Sequence, residues 1–276
     1  MVATCRAARV APRLSGASHK AAAENLRWIL PGPRRIGRVF VSVILAGFAG
    51  TTAVRAEETC PAALEGARQL ILVTTANMAA ASARLRRFER SGDRDPWRAV
   101  GQAEPAVVGA GGLAWGYPFR GLARDGEPIK VEGDKRTPAG VYKIGRSFGF
   151  APAPRPGHLV LKAGETICVD DPASPAYNTI APRAALGPGV HGEDMGAVDL
   201  YRRGLAIDYP TDAAHRAGSC IFIHVWRAPG RGTAGCVALS EAGVAALQDF
   251  ARDGAAIAIL PRKAVERFEG CLPASH

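Results

Sequence analysis

Downstream of residue 68 the chain is a succession of short β-type runs broken by glycine, proline and aspartate, and that punctuation excludes most folds. "RQLILVTT" holds a compact apolar run at residues 70–73, and in "SARLRRFER" Leu85 and Phe88 are set among arginines. "WRAVGQ", "PAVVGAGGLAWG", "PIKVEGD", "GVYKIG", "GHLVLK", "TICVDD", "LAIDYP" and "CIFIHVW" follow. Strand-length runs separated by turn residues predict a mainly β sandwich or barrel rather than βαβ units. One helix is expected to accompany them. Ser240 caps "EAGVAALQDFAR", where Val244, Leu247 and Phe250 share a face and Asp253 and Gly254 supply the stop. "AAIAIL" then closes the domain as a last strand. No repeat, heptad or low-complexity linker interrupts residues 57–276, which read as a single domain.

The net charge of +10 invites a nucleic-acid reading until it is divided along the chain. Residues 1–56 carry nine of the 35 Lys and Arg residues against one acid, Glu24, which leaves 26 basic and 24 acidic residues downstream. A near-balanced folded part excludes nucleic acid as the expected partner, and a polybasic membrane surface with it. The basic portion has its own explanation. In "PRRIGRVFVSVILAGFAGTTAVRAEETC", Arg34, Arg35 and Arg38 precede an apolar stretch at residues 39–49, with Val54 and Ala56 at the minus-three and minus-one positions. That is the build of a secretory signal peptide cleaved after Ala56. The competing reading is an uncleaved anchor, which needs ~20 apolar residues, more than this run supplies. The leader ahead of Arg34 is long enough to hold a start codon downstream of Met1. Residues 57–276 are expected in an exported compartment, most simply a periplasm, without a membrane span.

Export changes the reading of the cysteines, because an oxidising compartment pairs thiols. Residues 57–276 hold five, Cys60, Cys168, Cys220, Cys236 and Cys271, so at least one has no partner within the chain. Cys60 and Cys271 lie near the two ends, where a bond would close almost the whole domain into one loop. Pairing them, and Cys168 with Cys220, leaves Cys236 as the free thiol. The alternative is five reduced and buried cysteines.

"IFIHVWRAPGRGTAGCVALS" gives Cys236 a chemical setting. Strand alternation puts Ile221, Ile223 and Val225 on one face and Phe222, His224 and Trp226 on the other. Twelve residues after His224 comes Cys236, four ahead of the capping Ser240. A thiol near a helix N-terminus and within reach of an imidazole has what a cysteine nucleophile needs, and Gly235 leaves room for backbone N–H groups to face an oxyanion. A His and a Cys at this spacing can equally be unrelated.

The same residues resemble a family. "IFIH", a glycine-bearing loop and "TAGCVAL" look like the active-site signature of the L,D-transpeptidase catalytic domain, the YkuD family. "EGDKRTPAGVYKIG", residues 132–145, is similar to that family's Gly-Asp and Thr-Pro-x-Gly turn. The similarity spans about residues 68–260. It implies an exported enzyme of peptidoglycan and cell-wall biogenesis with a β catalytic domain of sandwich or barrel type, one or two helices, and no metal or organic cofactor. Cys236 would attack the bond between diaminopimelate and D-alanine in a stem peptide, and an amine acceptor would resolve the thioester. His224 would be the general base, Thr233 and Gly235 would shape the nucleophile loop, and the Cys236 N–H would serve the oxyanion. Peptidoglycan stem peptides are the implied partners and carbapenems the implied covalent inhibitors.

The chain departs from the family pattern at Val225, where Gly or Ser is usual; at Ala234, usually a second His; and at Ala238, usually Arg or Asn. Arg227 and Arg231 are candidates for binding stem-peptide carboxylates, or are solvated loop charges. Asp208 in "LAIDYP" is a candidate third member orienting His224, or a turn cap. "GVHGEDMGAVD" sets His191 beside Glu193, Asp194 and Asp199, with no familiar metal-ligand spacing, and reads as a solvated loop bordering the cleft. Cys220 is a weaker nucleophile candidate, and His158 and His215 read as incidental. Trp115, Tyr117 and Trp226 are candidates for lining a substrate cleft, with core packing as the default. Two alternatives to transpeptidation stay open: a hydrolase or carboxypeptidase that resolves the same thioester with water, and a wall-binding domain without turnover.

Overall fold

The computed structural model describes residues 60–274, so the basic leader and the cleavage expected after Ala56 lie outside the described residues. The chain forms β1 (Gln69–Thr75), β2 (Ser82–Glu89), β3 (Arg98–Val107), β4 (Leu113–Trp115), β5 (Thr137–Gly149), β6 (Leu159–Val160) and β7 (Thr166–Cys168). It continues through β8 (Ile180–Pro182), β9 (Glu193–Asp194), β10 (Arg203–Asp208), β11 (Phe222–Val225), β12 (Val237–Leu239), the helix α1 (Glu241–Phe250) and β13 (Ala256–Pro261). The architecture is mainly β, as the turn punctuation predicts.

Strand order runs β10-β11-β12-β3-β2-β1-β13-β5, and β5 pairs back onto β10, closing these eight strands into a barrel. Closure removes most of the unpaired edge that so many short strands would otherwise expose. β4 and β6 extend the barrel along β5, while β8, β7 and β9 form a separate three-stranded sheet. β1–β13 and β11–β12 are parallel pairs. The second of these matters for the site, because a parallel neighbour requires the chain to cross over and return.

Leu85 and Phe88 are both buried although three residues apart in a strand, where strict alternation would send them to opposite faces. A register shift between Leu85 and Arg87 against β3 reconciles them: the bulge rephases the alternation. "PIKVEGD" was expected as a strand and is not one. Only Ile129 bridges Trp115; the rest turns so that Asp134 can bond the Lys130 ammonium and the amides of Val131 and Arg136. The predicted helix stands, with the Ser240 hydroxyl accepting from the Gly243 amide and Val244, Leu247 and Phe250 all buried.

Two apolar clusters result. The larger fills the barrel and lies under α1; the smaller gathers Phe148, Leu161, Cys168, Met195, Tyr201, Phe222 and Cys236 between barrel and accessory sheet. Two disulfides form, Cys60–Cys271 and Cys168–Cys220, leaving Cys236 as the free cysteine among the described residues. Among those residues no helix is long and apolar enough to cross a membrane.

Candidate active site

The loop after β11 brings the chain back beside the strand it left. In the parallel β11–β12 pair, Ile223 faces Val237 and His224 faces Ala238. Ile223, Val225, Val237 and Leu239 enter the barrel core, whereas Phe222 and Cys236 enter the smaller cluster, and His224 meets its Tyr201 edge-on at 5.2 Å between ring centroids. Cys236 stands one residue ahead of β12. Thiol and imidazole are therefore diagonal neighbours on one sheet face, a spacing that side chains of this length can span. The alternation read from "CIFIH" holds up to Val225; Trp226, past the strand end, packs on the main core instead.

Both sequence motifs converge on the Cys236 backbone. The Thr233 hydroxyl donates to the Cys236 carbonyl (2.6 Å) and accepts from the Gly235 amide (3.1 Å). From the Thr-Pro turn, the Thr137 hydroxyl donates to the same carbonyl (3.2 Å) and accepts from the Gly109 amide (2.8 Å). Gly235 has φ +153°, and a Cβ there would sit 3.2 Å from the Arg136 carbonyl, so the residue before the thiol has to be glycine. Two hydroxyls on one carbonyl hold the peptide in a single orientation, which is what a nucleophile loop requires.

Cys236 is 7% exposed and His224 5%. Cys236 Sγ accepts from the Phe222 amide (3.4 Å) and its S–H faces the Cys220 carbonyl (3.5 Å), within the same cluster as Tyr201. Burial pushes the thiol up to about 12, against the smaller opposing pull of the Phe222 N–H. Burial pushes His224 down to about 4, opposed by its hydrogen bond to the Val225 carbonyl. That bond is 2.8 Å from Nδ1, and because a carbonyl only accepts, Nδ1 carries the proton and Nε2 is the free base. At neutral pH the resting pair is thus thiol and neutral imidazole.

A measurable consequence follows from the sign of the His224 shift. The native imidazole resists protonation that the unfolded one accepts near 6.5, so its contribution is present above pH 6.5 and lost as pH falls to about 4. The expected loss is about 3 kcal/mol. Urea midpoints at pH 7 and pH 4 should differ less for His224→Asn than for the unsubstituted protein; equal pH dependence would refute the buried neutral imidazole.

Asp208 does not orient His224. Gly204, not Asp208, is the β10 partner of His224, and Asp208 lies further along, paired with Lys143 and turned against Gly145. A backbone carbonyl, that of Val225, takes the orienting place, and any residue supplies a carbonyl, which is how this position can depart from Gly or Ser. Ala238 is wholly buried opposite His224, while Ala234 is exposed. Arg227 and Arg231 are exposed on the crossover loop and form no ion pair among the described residues. Cys220 is locked to Cys168 and is no nucleophile. His158 and His215 are less incidental than the sequence implies: His158 bonds Ser147 and the Ala151 carbonyl, and His215 bonds Tyr117 and Asp212.

"GVHGEDMGAVD" is more than a solvated loop. His191 is exposed and Asp194 caps the Gly164 and Gly196 amides, but Glu193 is half-buried and accepts a 2.7 Å hydrogen bond from Tyr201. Tyr201 had no motif to mark it; its one signal was an aromatic hydroxyl shortly after a carboxylate.

The profile of the L,D-transpeptidase catalytic domain, YkuD, matches residues 98–259. The chain belongs to the L,D-transpeptidase catalytic-domain family. The match begins at β3 and takes in Thr137, His224 and Cys236, while β1 and β2 of the transpeptidase-family barrel precede it. No curated protein sequence matches the chain. Among solved structures, the helical cell shape determining protein Pgp2 from Campylobacter jejuni aligns at 19% identity and a TM-score of 0.34, over 70% of this chain and 46% of that one. This chain spans about half the length of Pgp2.

Proposed function

We propose that this transpeptidase-family domain is an exported cysteine acyltransferase acting on peptidoglycan stem peptides. The observation that carries the reading is the free thiol of Cys236, set diagonally to His224 on one sheet face with its carbonyl held by Thr233 and Thr137. Two disulfides support export to an oxidising compartment. Sγ attacks the carbonyl between diaminopimelate and the terminal D-alanine, His224 Nε2 serves as base, and the Cys236 N–H faces the oxyanion. D-Alanine leaves with a proton, and an amine of a second stem resolves the thioester. Because the resting thiol is neutral, its proton departs as the S–C bond forms. Arg227 and Arg231, exposed on the crossover loop and without an ion pair among the described residues, would attract stem carboxylates.

Incubation with purified disaccharide tetrapeptides, followed by mass analysis of the products, tests the reading. Cross-linked dimers with release of D-alanine are expected. Tripeptide without dimer would indicate water as acceptor, and unchanged tetrapeptide would leave a wall-binding domain.

A further inference from the structure

Two of the residues that touch the thiol also wall a cavity. Phe222, whose amide meets Cys236 Sγ, and Cys220, whose carbonyl faces it, line a space of about 380 Å³ between the barrel and the accessory sheet. The Cys168–Cys220 disulfide closes one side. On β10, Leu205 and Ile207 enter the barrel core, so alternation leaves Ala206 and Asp208 on the outer face, where both line the cavity. Ala206 pairs with Phe222, and Phe222 lies beside Cys236 in the β11–β12 register, which puts the cavity floor two strand spacings, about 10 Å, from the nucleophile.

The charged groups of this cavity are not satisfied by each other. Leu205 pairs with Ser147 and Ile207 with Ile144, so Gly145 and Arg146 together oppose Ala206, a bulge in β5 that turns the Arg146 side chain to the cavity. Arg146 Nε donates to the Gly157 carbonyl at 3.2 Å, and the two terminal amino groups of its guanidinium have no partner among the described residues. Asp208 lies against Gly145, where any Cβ would collide with Oδ1. Partial burial with no hydrogen bond to offset it lifts the Asp208 carboxyl above its ordinary range, and a carboxylate so placed costs the fold stability. The two opposite charges border one cavity yet form no ion pair among the described residues.

We propose that the cavity is a subsite for a zwitterionic α-amino-acid terminus, whose ammonium is held by Asp208 and whose carboxylate is held by Arg146. The inference rests on the acyl-transfer reading above and assigns the cavity to the stem peptide that acylates Cys236. The side chain of diaminopimelate ends in one ammonium and one carboxylate on the same carbon, joined by methylenes to the carbon that bears the scissile carbonyl. With that carbonyl at the thiol, the methylenes run over Phe222 and along the disulfide wall, and the terminus reaches Asp208 and Arg146. The small side chain of Ala206 gives the cavity its depth. Asp208 is thus a specificity residue, not a partner of His224.

The test is calorimetric binding of stem tetrapeptides to the full chain carrying Cys236→Ala, so that no chemistry intervenes. Three peptides are compared: one with free diaminopimelate, one with its distal carboxylate amidated, and one with its distal amine acetylated. Each modification should weaken binding roughly tenfold, the loss of one charge-assisted hydrogen-bonded contact. With Arg146→Ala added, amidation should cost nothing further; with Asp208→Asn added, acetylation should cost nothing further. Penalties that survive in these chains, equal binding of the three peptides, or no binding at all overturn the inference. Should Asp208→Asn melt early, the Arg146→Ala comparison decides, because that side chain is exposed and its one bond is to a loop carbonyl. The acyl-transfer reading fails separately: it is lost if the unsubstituted chain releases no D-alanine and takes up no carbapenem, whatever the peptide binding.

Discussion

A protein carrying Cys236→Ala is expected to gain no mass on incubation with a carbapenem, whereas the unsubstituted protein gains one intact drug molecule. Thiol attack on the β-lactam carbonyl opens the ring without releasing a fragment, so the adduct weighs what the drug weighs. Four of the five described cysteines are tied in disulfides, which makes Cys236 the one free sulfur nucleophile among the described residues. The loss should be complete rather than graded, because alanine keeps the backbone held by Thr137 and Thr233 but has no nucleophile. The paired substitution Cys168→Ala/Cys220→Ala should retain the adduct at a lower rate, since Cys220 has a left-handed φ of 55° and its carbonyl faces the thiol. An adduct on Cys236→Ala would refute the assignment.

Removal of the Cys60–Cys271 disulfide is the substitution expected to cost most stability. The bond spans 211 residues of sequence, nearly the whole described domain. Constraint of so long a loop in the unfolded chain is worth about 5 kcal/mol in the chain-entropy treatment, with measured losses commonly nearer 2–5 kcal/mol. For a domain of this size that corresponds to a melting temperature lower by roughly 10 °C. The bond also seats the C-terminal turn, where the Cys271 carbonyl accepts from Trp97 Nε1 at 2.9 Å and Arg90 lies over the Trp97 ring. Cys60→Ser/Cys271→Ser should therefore melt well below the unsubstituted protein by calorimetry under non-reducing conditions. A shift under about 2 °C would mean that the unfolded chain is already compact enough for the bond to add little.

These two results concern parts of the molecule that were legible from sequence for different reasons. The disulfide followed from export and the end positions of Cys60 and Cys271. Cys236 followed from its glycine loop, its neighbouring helix cap and its family resemblance. Asp208 failed because a strand-end aspartate near a histidine strand suggests a triad, yet the β10–β11 register sets Gly204, not Asp208, opposite His224. The strand expected in "PIKVEGD" failed because the Asp134 carboxylate organises a turn that apolar spacing does not reveal.

By itself the sequence determined what short-range periodicity and chemistry can encode. It specified a mainly β chain, a helix capped at Ser240, His224 and Phe222 on one strand face, and a cysteine preceded by glycine. Tertiary structure alone decided which groups meet at the sulfur. Thr137 reaches the Cys236 carbonyl across 99 residues, and the Cys220 carbonyl faces the thiol from a residue tied by disulfide to a separate sheet. Period reports which face a side chain takes, whereas the neighbour across that face depends on strand register and on closure of the barrel, and these are settled by packing of the whole domain.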